Sequence, residues 1–326
     1  MLVVVIALMA AACGQGTATV TGVGTAADQS PAAPTDDQAP DPTADAPTDA
    51  PGDQSATFDQ AMPAGERLVV REVARRPHDR TAFTQGFVFH EGRLFESRGL
   101  YANQEPVTLT EIDPLDGSAI RSLPRDPADG NYFAEGLTVV GDRLVQLTWQ
   151  DNVAFVYDLE TFERVGTFTY EGEGWGLCTE PDRLVMSNGT STLTTRDRDS
   201  FAVIDSVTVT LDGQPQDNLN ELACVGGLVW ANVWQTPTIL VIDPDTGRVV
   251  SVVDASSLAT ANGRFAEDPS ADVLNGIAFD EQTGTWLLTG KLWPFMFEVE
   301  FDCTAGCVED LSHYVRPRTP PLAARS

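Results

Sequence analysis

The sequence predicts an all-β chain whose sheets close into a β-propeller of about five blades, and two observations carry that prediction. From Arg67 onward, β-branched and aromatic runs alternate with Gly, Asp-Gly and Asp-Pro turns, the pattern of successive short strands. Helical periodicity is nowhere sustained. Within this region one motif recurs five times, at intervals of roughly 40 to 55 residues, the spacing of propeller blades.

The first element is the apolar run Leu2 to Ala12 (LVVVIALMAAA), eleven residues long. A bilayer span needs ~20 residues, so this run fits the apolar core of an export signal instead. It leads into Ala10-Ala11-Ala12-Cys13-Gly14, which resembles a bacterial lipobox, where lipid joins the cysteine and the chain is cut just before it. Residues 1–12 are therefore expected to be a lipoprotein signal peptide and Cys13 the lipidation site. An ordinary secretory signal with an incidental cysteine is the alternative. No Lys or Arg precedes Arg67, so the basic start usual in such signals is missing. Residues 13–63 are Ala, Pro, Thr, Asp and Gln with almost no large apolar side chain. Such a segment buries too little surface to offset its ordering entropy, so a disordered tether is expected. The expected location is the cell envelope, on the outer face of a bacterial membrane touched only through the lipid.

Residues 64–326 are expected to hold the propeller. Its repeats open at Gln85-Gly-Phe-Val-Phe, Glu135-Gly-Leu-Thr-Val, Trp175-Gly-Leu-Cys-Thr, Asn220-Glu-Leu-Ala-Cys and Asn275-Gly-Ile-Ala-Phe. Each unit continues through a Gly or Asp turn into a second strand, as in 94–97, 144–149, 184–187, 229–233 and 286–289. Third strands follow at 107–112, 152–157 and 238–242, leading to turns such as Asp113-Pro-Leu-Asp-Gly117 and Asp243-Pro-Asp-Thr-Gly247. After the fifth unit one clear strand remains, 295–301. The N-terminal strand 67–73 is expected to supply the missing outer strand and close the ring, removing open edges. A β-solenoid is the competing architecture, but its repeats are shorter.

A net charge of −28 argues against nucleic acid as a partner, because its backbone attracts basic patches. Of the cysteines after Cys13, Cys303 and Cys307 flank a short turn and could pair locally. Cys178 and Cys224 hold matching repeat positions and could face each other across adjacent blades. Neither CxxC nor Cys/His ligand spacing occurs, so no zinc site is expected.

In a propeller the innermost strands line the central channel. The first repeat position therefore sets Gln85, Glu135, Trp175, Asn220 and Asn275 around one mouth. The second strands end about fourteen residues later, at Arg98, Trp149, Asn188, Trp234 and Lys291, which are expected on the same rim. Amides, one carboxylate, indoles and a lysine there make a ligand pocket the default reading. Lys291 is the one lysine in the chain, among twenty basic side chains. A compact ammonium in a chain that otherwise uses Arg suggests a chosen donor. Chance retention of a surface Lys, a structural role for Asn220 and plain packing for the tryptophans are the bland alternatives.

These segments resemble the plant- and bacterial-type glutaminyl cyclases, five-bladed propellers that turn N-terminal glutamine into pyroglutamate. The matching residues are Phe83-Thr-Gln-Gly86, Glu96-Ser-Arg-Gly-Leu-Tyr101, Phe133-Ala-Glu-Gly-Leu-Thr138, Leu147-Thr-Trp-Gln150, Glu173-Gly-Trp-Gly-Leu177, Ser187-Asn-Gly-Thr190, Leu219-Asn-Glu-Leu222, Ala231-Asn-Val-Trp234, Leu274-Asn-Gly-Ile277 and Thr289-Gly-Lys-Leu-Trp-Pro294. They span about residues 75–300. The resemblance implies a metal-independent glutaminyl-peptide cyclotransferase acting on peptides or proteins that begin with Gln. It carries the family's site onto Glu135, Lys291, Asn220 and Gln85 as catalytic residues, with Phe83, Phe133, Trp149, Trp175 and Trp234 as the substrate walls. Arg98 stands where the family often has a smaller residue and Asn188 where it often has Asp, which bears on substrate preference. No cofactor is expected to be required, although the axis leaves room for a structural calcium; a monomer is expected.

The implied chemistry has the α-amine attack the γ-carboxamide, with Glu135 shuttling the proton and Lys291, aided by Asn220 or Gln85, steadying the oxyanion. A non-catalytic propeller binding peptide or carbohydrate at the cell surface is the rival reading. A metal-dependent propeller hydrolase is a second, weakened because the aligned positions converge only one carboxylate, Glu135, on the axis.

Overall fold

Each repeat begins with a run whose side chains are apolar or small on both faces and ends with a run that alternates charged and apolar residues. That gradient orders the strands from axis to rim. The computed structural model describes residues 66–305 except 102, 103 and 105. The expected signal peptide 1–12, Cys13, the whole linker 13–63 and Cys307 lie outside the described residues.

Strand β1 (Glu66–Pro77) precedes a four-stranded sheet of β2 (Thr84–His90), β3 (Arg93–Arg98), β4 (Val107–Ile112) and β5 (Ala119–Pro124). A second sheet holds β6 (Ala134–Val140), β7 (Arg143–Thr148), β8 (Val153–Asp158) and β9 (Arg164–Thr169), and a third holds β10 (Leu177–Thr179), β11 (Leu184–Ser187), β12 (Thr192–Arg196) and β13 (Val203–Thr208). After a small hairpin, β14 (Thr210–Leu211) and β15 (Gln214–Pro215), come β16 (Leu219–Val225), β17 (Leu228–Val233), β18 (Thr238–Ile242) and β19 (Val249–Asp254), then β20 (Leu274–Asp280), β21 (Thr285–Gly290) and β22 (Phe295–Ala305).

The expected closure by the N-terminal strand is present. β1 pairs antiparallel with β22 as the outer strand of the last group. Its first residues also pair in parallel with β19, from Glu66 opposite Ser251 to Val69 opposite Asp254. This second pairing joins the last two groups into one eight-stranded sheet and was not foreseen. The innermost strands touch in cyclic order, β2 to β6, β6 to β10, β10 to β16, β16 to β20 and β20 back to β2, so the sheets surround an axis. Burial follows the same gradient. All seven residues of β6 are buried, whereas β5 and β9 alternate between exposed and half-buried positions.

Two recurring devices explain the repeat. Asp113, Asp158, Asp197 and Asp243 begin the turn between third and fourth strands, and each Oδ1 accepts the backbone N–H two residues on. An aspartate side chain thus mimics a turn of backbone. Gly117 and Gly247 end two of these turns at φ near +70°, while Phe162 and Phe201 hold the same place at +61° and sink their rings into the core. At the axis, a Cβ on Gly86 would lie 2.4 Å from Leu137 N, one on Gly136 2.7 Å from Leu177 N, and one on Gly176 2.1 Å from Asn220 O. The glycine after each pocket residue therefore lets neighbouring inner strands approach. The fourth repeat departs from this pattern: Glu221 stands in the glycine's place, and its buried carboxyl accepts Phe87 N–H (3.3 Å) and Ile277 N–H (2.9 Å), linking β16 to β2 and β20.

Side chains bridge the sheets elsewhere too. Gln146, fully buried, donates to Ser97 Oγ (2.9 Å) and Thr108 O (2.7 Å). Cys178 and Cys224 form a disulfide between β10 and β16, the pairing their matching positions suggested. Cys303 is also disulfide-bonded.

Candidate active site

The inner strands are bent where they meet the cavity. The β2–β3 register slips between Thr84 and Gly86, β6–β7 between Ala134 and Leu137, β16–β17 between Leu219 and Leu222, and β20–β21 between Leu274 and Ile277. A bulge re-aims a side chain without ending the sheet. These four bulges hold Gln85, Glu135, Asn220 and Asn275.

A cavity of about 730 Å³ opens at this end of the axis. Phe83, Gln85, Phe133, Glu135, Trp149, Trp175, Asn220, Trp234 and Lys291 all line it. Every residue expected to catalyse or to wall the substrate is thus brought together. The far ends of the same strands line a larger cavity of about 970 Å³. Size does not select the site; only the smaller cavity joins a buried acid and a buried ammonium to a wall of aromatic rings.

The expected rim is corrected at three positions. Arg98 does not line the cavity; its guanidinium bonds Glu96 Oε2 (3.0 Å) and Asp79 Oδ2 (2.7 Å) in a buried network with His78. Asn188 instead caps its own turn, its Oδ1 accepting from Thr190 Oγ1 at 2.7 Å. Asn275 lies beneath the cavity and donates to Thr84 O (3.0 Å) and Gln85 Oε1 (3.1 Å). Gln85 in turn donates to Glu135 Oε1 (3.1 Å), so an amide chain fixes the carboxyl.

The walls pack edge to face. Phe133 meets Phe83 at 6.0 Å, Trp149 at 6.0 Å and Tyr101 at 5.4 Å between ring centroids, and Trp175 meets Trp234 at 5.6 Å. Gly99 makes room for this: a Cβ there would stand 2.6 Å from the Phe133 ring. Lys291 Nζ lies 5.0 Å from the Phe83 ring centre, a favourable place for an ammonium.

Burial sets the electrostatics. It pushes the Glu135 carboxyl well above its ordinary value, with Glu173 adding to the rise and Lys291 opposing it. Burial pushes Lys291 down, while Glu135 and Asp272 pull it back up. The two groups are drawn toward each other's range, the usual condition of groups that exchange protons. Asn220 Oδ1 is buried without a hydrogen-bond partner among the described residues. Such an atom costs free energy unless a ligand meets it.

Sequence reasoning missed one side of the cavity. Gln235, Asn262, Arg264, Asp272 and Val273 also line it. Most belong to the segment between β19 and β20, folded by isolated bridges from Ala259 to Phe265 and from Arg264 to Val273. Backbone bonds from Asp272 N to Lys291 O and from Lys291 N to Val273 O fasten it beside the lysine. The long interval before the fifth repeat was the available signal. Among the described residues no group of three or more His, Cys, Asp or Glu is arranged to hold a metal.

Known proteins resemble this chain over most of its length. The family model described as glutamine cyclotransferase matches residues 49–301. A glutaminyl-peptide cyclotransferase of Arabidopsis thaliana is 37% identical over 233 residues, 71% of each chain. The crystal structure of Myxococcus xanthus glutaminyl cyclase superposes with a TM-score of 0.66 at 41% identity, covering 74% of this chain and 100% of that one.

Proposed function

The chain belongs to the glutamine cyclotransferase family, and from that premise we propose how its cavity performs the reaction. The activity is that of a glutaminyl-peptide cyclotransferase: an N-terminal glutamine closes to pyroglutamate and ammonia leaves. The nucleophile is already tethered to its target, so most of the entropic cost is met in advance. The remaining needs are a curled side chain, a deprotonated amine, a steadied oxyanion and a protonated leaving group.

In our reading Glu135 takes a proton from the α-ammonium, and the freed amine nitrogen bonds to the carbonyl carbon, Cδ, of the γ-carboxamide. Lys291 donates to the amide oxygen while negative charge grows there. Glu135 then passes that proton to the amide nitrogen, the C–N bond breaks and ammonia departs. The ring nitrogen's remaining extra proton leaves through Glu135 to the ammonia, which ends as ammonium. An α-ammonium has a pKa of ~7.7–8.0, and a carboxyl raised by burial is a better match for it than an ordinary glutamate. Gln85 holds Glu135, which leaves Lys291 and Asn220 to meet the carboxamide. The orphaned Asn220 Oδ1 suits the amide –NH2; with its amide turned over, the same side chain donates to the amide oxygen. Phe83, Phe133, Trp149, Trp175 and Trp234 enclose the curled side chain and exclude water. The observation that carries the reading is one aromatic cavity holding both Glu135 and Lys291.

The sheets are read as five four-stranded blades, supported by the cyclic contacts of the inner strands. Export with lipid attachment at Cys13, followed by a flexible tether, rests on the apolar run, the small residues before the cysteine and the composition of 13–63. Radiolabelled palmitate entering the wild type but not Cys13→Ser tests it.

The catalytic reading is tested with a Gln-initiated peptide and mass spectrometry. Wild type removes one ammonia, with or without chelator, and acts far more slowly on the Glu-initiated peptide. Glu135→Gln loses ~10²–10⁴-fold in turnover and Lys291→Ala ~10²–10³-fold, both remaining folded. Intact peptide that nevertheless binds would favour a recognition module, and loss of activity with chelator a metal enzyme.

A further inference from the structure

Glu173 lies behind the aromatic wall, in the loop between β9 and β10, and does not itself line the cavity. Its Oε2 accepts the indole N–H of Trp149 at 2.8 Å and of Trp175 at 2.9 Å, while Oε1 accepts from Gln150 Nε2 at 2.8 Å. Trp149 comes from the end of β7 in one sheet, and Trp175 leads into β10 in the next. One carboxylate thus ties together two walls that belong to different sheets. We propose that Glu173 is a positioning residue for cyclisation: it fixes the separation of the Trp149 and Trp175 rings and makes their faces more attractive to the substrate's ammonium.

Charge-assisted hydrogen bonds are the strong, directional kind. Two of them on one carboxylate leave neither indole free to turn about its long axis. An N–H donating to an anion also returns electron density to the ring, and an electron-rich indole face is the best aromatic partner for a cation. The substrate presents such a cation, its α-ammonium, before the proton passes to Glu135. Burial pushes the Glu173 carboxyl up, but the donors Gln150, Trp175 and Trp149 outweigh it and hold the group ionised. Its charge also reaches the shuttle. Among the described residues, the titratable groups bearing on Glu135 are Lys291, Glu173 and the Tyr170 hydroxyl, with Asp272 acting on Lys291.

This inference rests on the cyclisation reading of the same cavity. If wild type fails to release ammonia from a Gln-initiated peptide, that reading fails; if wild type succeeds, the variants below test Glu173 alone. Glu173→Gln is compared with Trp149→Phe/Trp175→Phe, which keeps aromatic rings and removes both N–H donors, and with the triple variant. Glu173→Gln is expected to lower kcat/KM about tenfold or more, since small misplacements of a bound substrate are costly. In the Trp149→Phe/Trp175→Phe background the same change should cost less than about twofold further, because the link it breaks is already gone. Glu173→Gln should also move the acid limb of the kcat/KM profile to lower pH, whereas Glu173→Asp, which keeps the charge on a shorter arm, should lower kcat/KM and leave that limb in place. Wild-type kcat/KM in Glu173→Gln, or equal losses in both backgrounds, overturns the proposal. Glu173→Asp also serves if Glu173→Gln does not fold, and wild-type kcat/KM there is equally decisive.

Discussion

Two titratable residues, Glu135 and Lys291, decide what the cavity can do, and each is perturbed in the direction that suits proton exchange. Burial raises Glu135 and lowers Lys291, while their mutual attraction opposes both shifts. The apparent values belong to the pair rather than to either group alone. The productive complex carries one proton shared between Glu135 and the substrate amine. Its kcat/KM profile should therefore be bell-shaped, with the alkaline limb near the amine's ~7.7–8.0. The acid limb should fall well above the ordinary glutamate value of 4.5. Measuring kcat/KM from pH 4 to 9 checks this, and an acid limb at the ordinary value would remove Glu135 as a buried shuttle. A separate buried group, His78 with Glu96, shows the opposite balance. Burial would lower His78 and raise Glu96, yet Arg98 and His78 together hold Glu96 down at about 2, and Glu96 with the Trp293 carbonyl holds His78 up. His78 and Glu96 make an ion pair that anchors the Trp293 carbonyl, two residues past Lys291.

Among the strands, the inner ones carry the pattern that made the fold legible. Gln85-Gly, Glu135-Gly and Trp175-Gly each pair a pocket residue with a glycine that admits its neighbour, Asn275-Gly repeats the pair beneath the cavity, and the sequence displays this as a repeat. Glu221 breaks the pattern at the fourth repeat. Sequence reasoning passed over it because a carboxylate after Asn220 looks like any polar residue until the axis exists. Burial pushes Glu221 well above its ordinary value, only partly offset by the N–H groups of Ile277 and Phe87. The two bonds fall on different oxygens, Phe87 N–H on Oε1 and Ile277 N–H on Oε2, whereas a carboxamide has one acceptor oxygen and would turn its –NH2 toward the other N–H. Glu221→Gln should therefore leave one buried N–H unmet and cost ~1–3 kcal/mol. Glu221→Ala leaves two buried N–H groups unmet at ~1–3 kcal/mol each and should cost about 2–6 kcal/mol. Urea unfolding measures both; wild-type stability in Glu221→Gln would mean that the second N–H bond contributes nothing. The parallel pairing of β1 with β19 and the wall formed by residues 255–273 were illegible for a related reason. Neither has a local pattern, since both depend on which distant edge the closed ring brings alongside. The misplacement of Arg98 and Asn188 has a simpler cause. Matching offsets predict height along the axis but not whether a side chain turns inward, and Asp79, Glu96 and Thr190 offered both residues nearer partners.

At the scale of the molecule, ring closure and charge bear on the same step, capture of the substrate. Residues in or beside the inner strands β2, β6, β10, β16 and β20 line the cavity, so it exists only when the ring is complete. Around it lies an acidic protein: of 48 acidic residues, forty fall from Glu66 onward beside all twenty basic ones. The substrate arrives with an α-ammonium that is largely protonated at neutral pH. An acidic surface concentrates such a cation near the mouth and repels a peptide whose remaining residues are anionic. The screening length shrinks from ~30 Å at 0.01 M salt to ~10 Å at 0.1 M, so this long-range effect fades over an accessible range. Contacts inside the buried cavity are screened far less. Raising salt from about 0.01 to 0.2 M should therefore lower kcat/KM several-fold for a Gln-initiated peptide rich in Lys, lower it less for a neutral one, and raise it for one rich in Glu. The kcat for all three should change little, because it reports the bound complex. Steady-state kinetics on the three peptides separates the cases: a common slope would assign the salt effect to the enzyme's fold, and flat lines would show that the surface charge plays no part in capture.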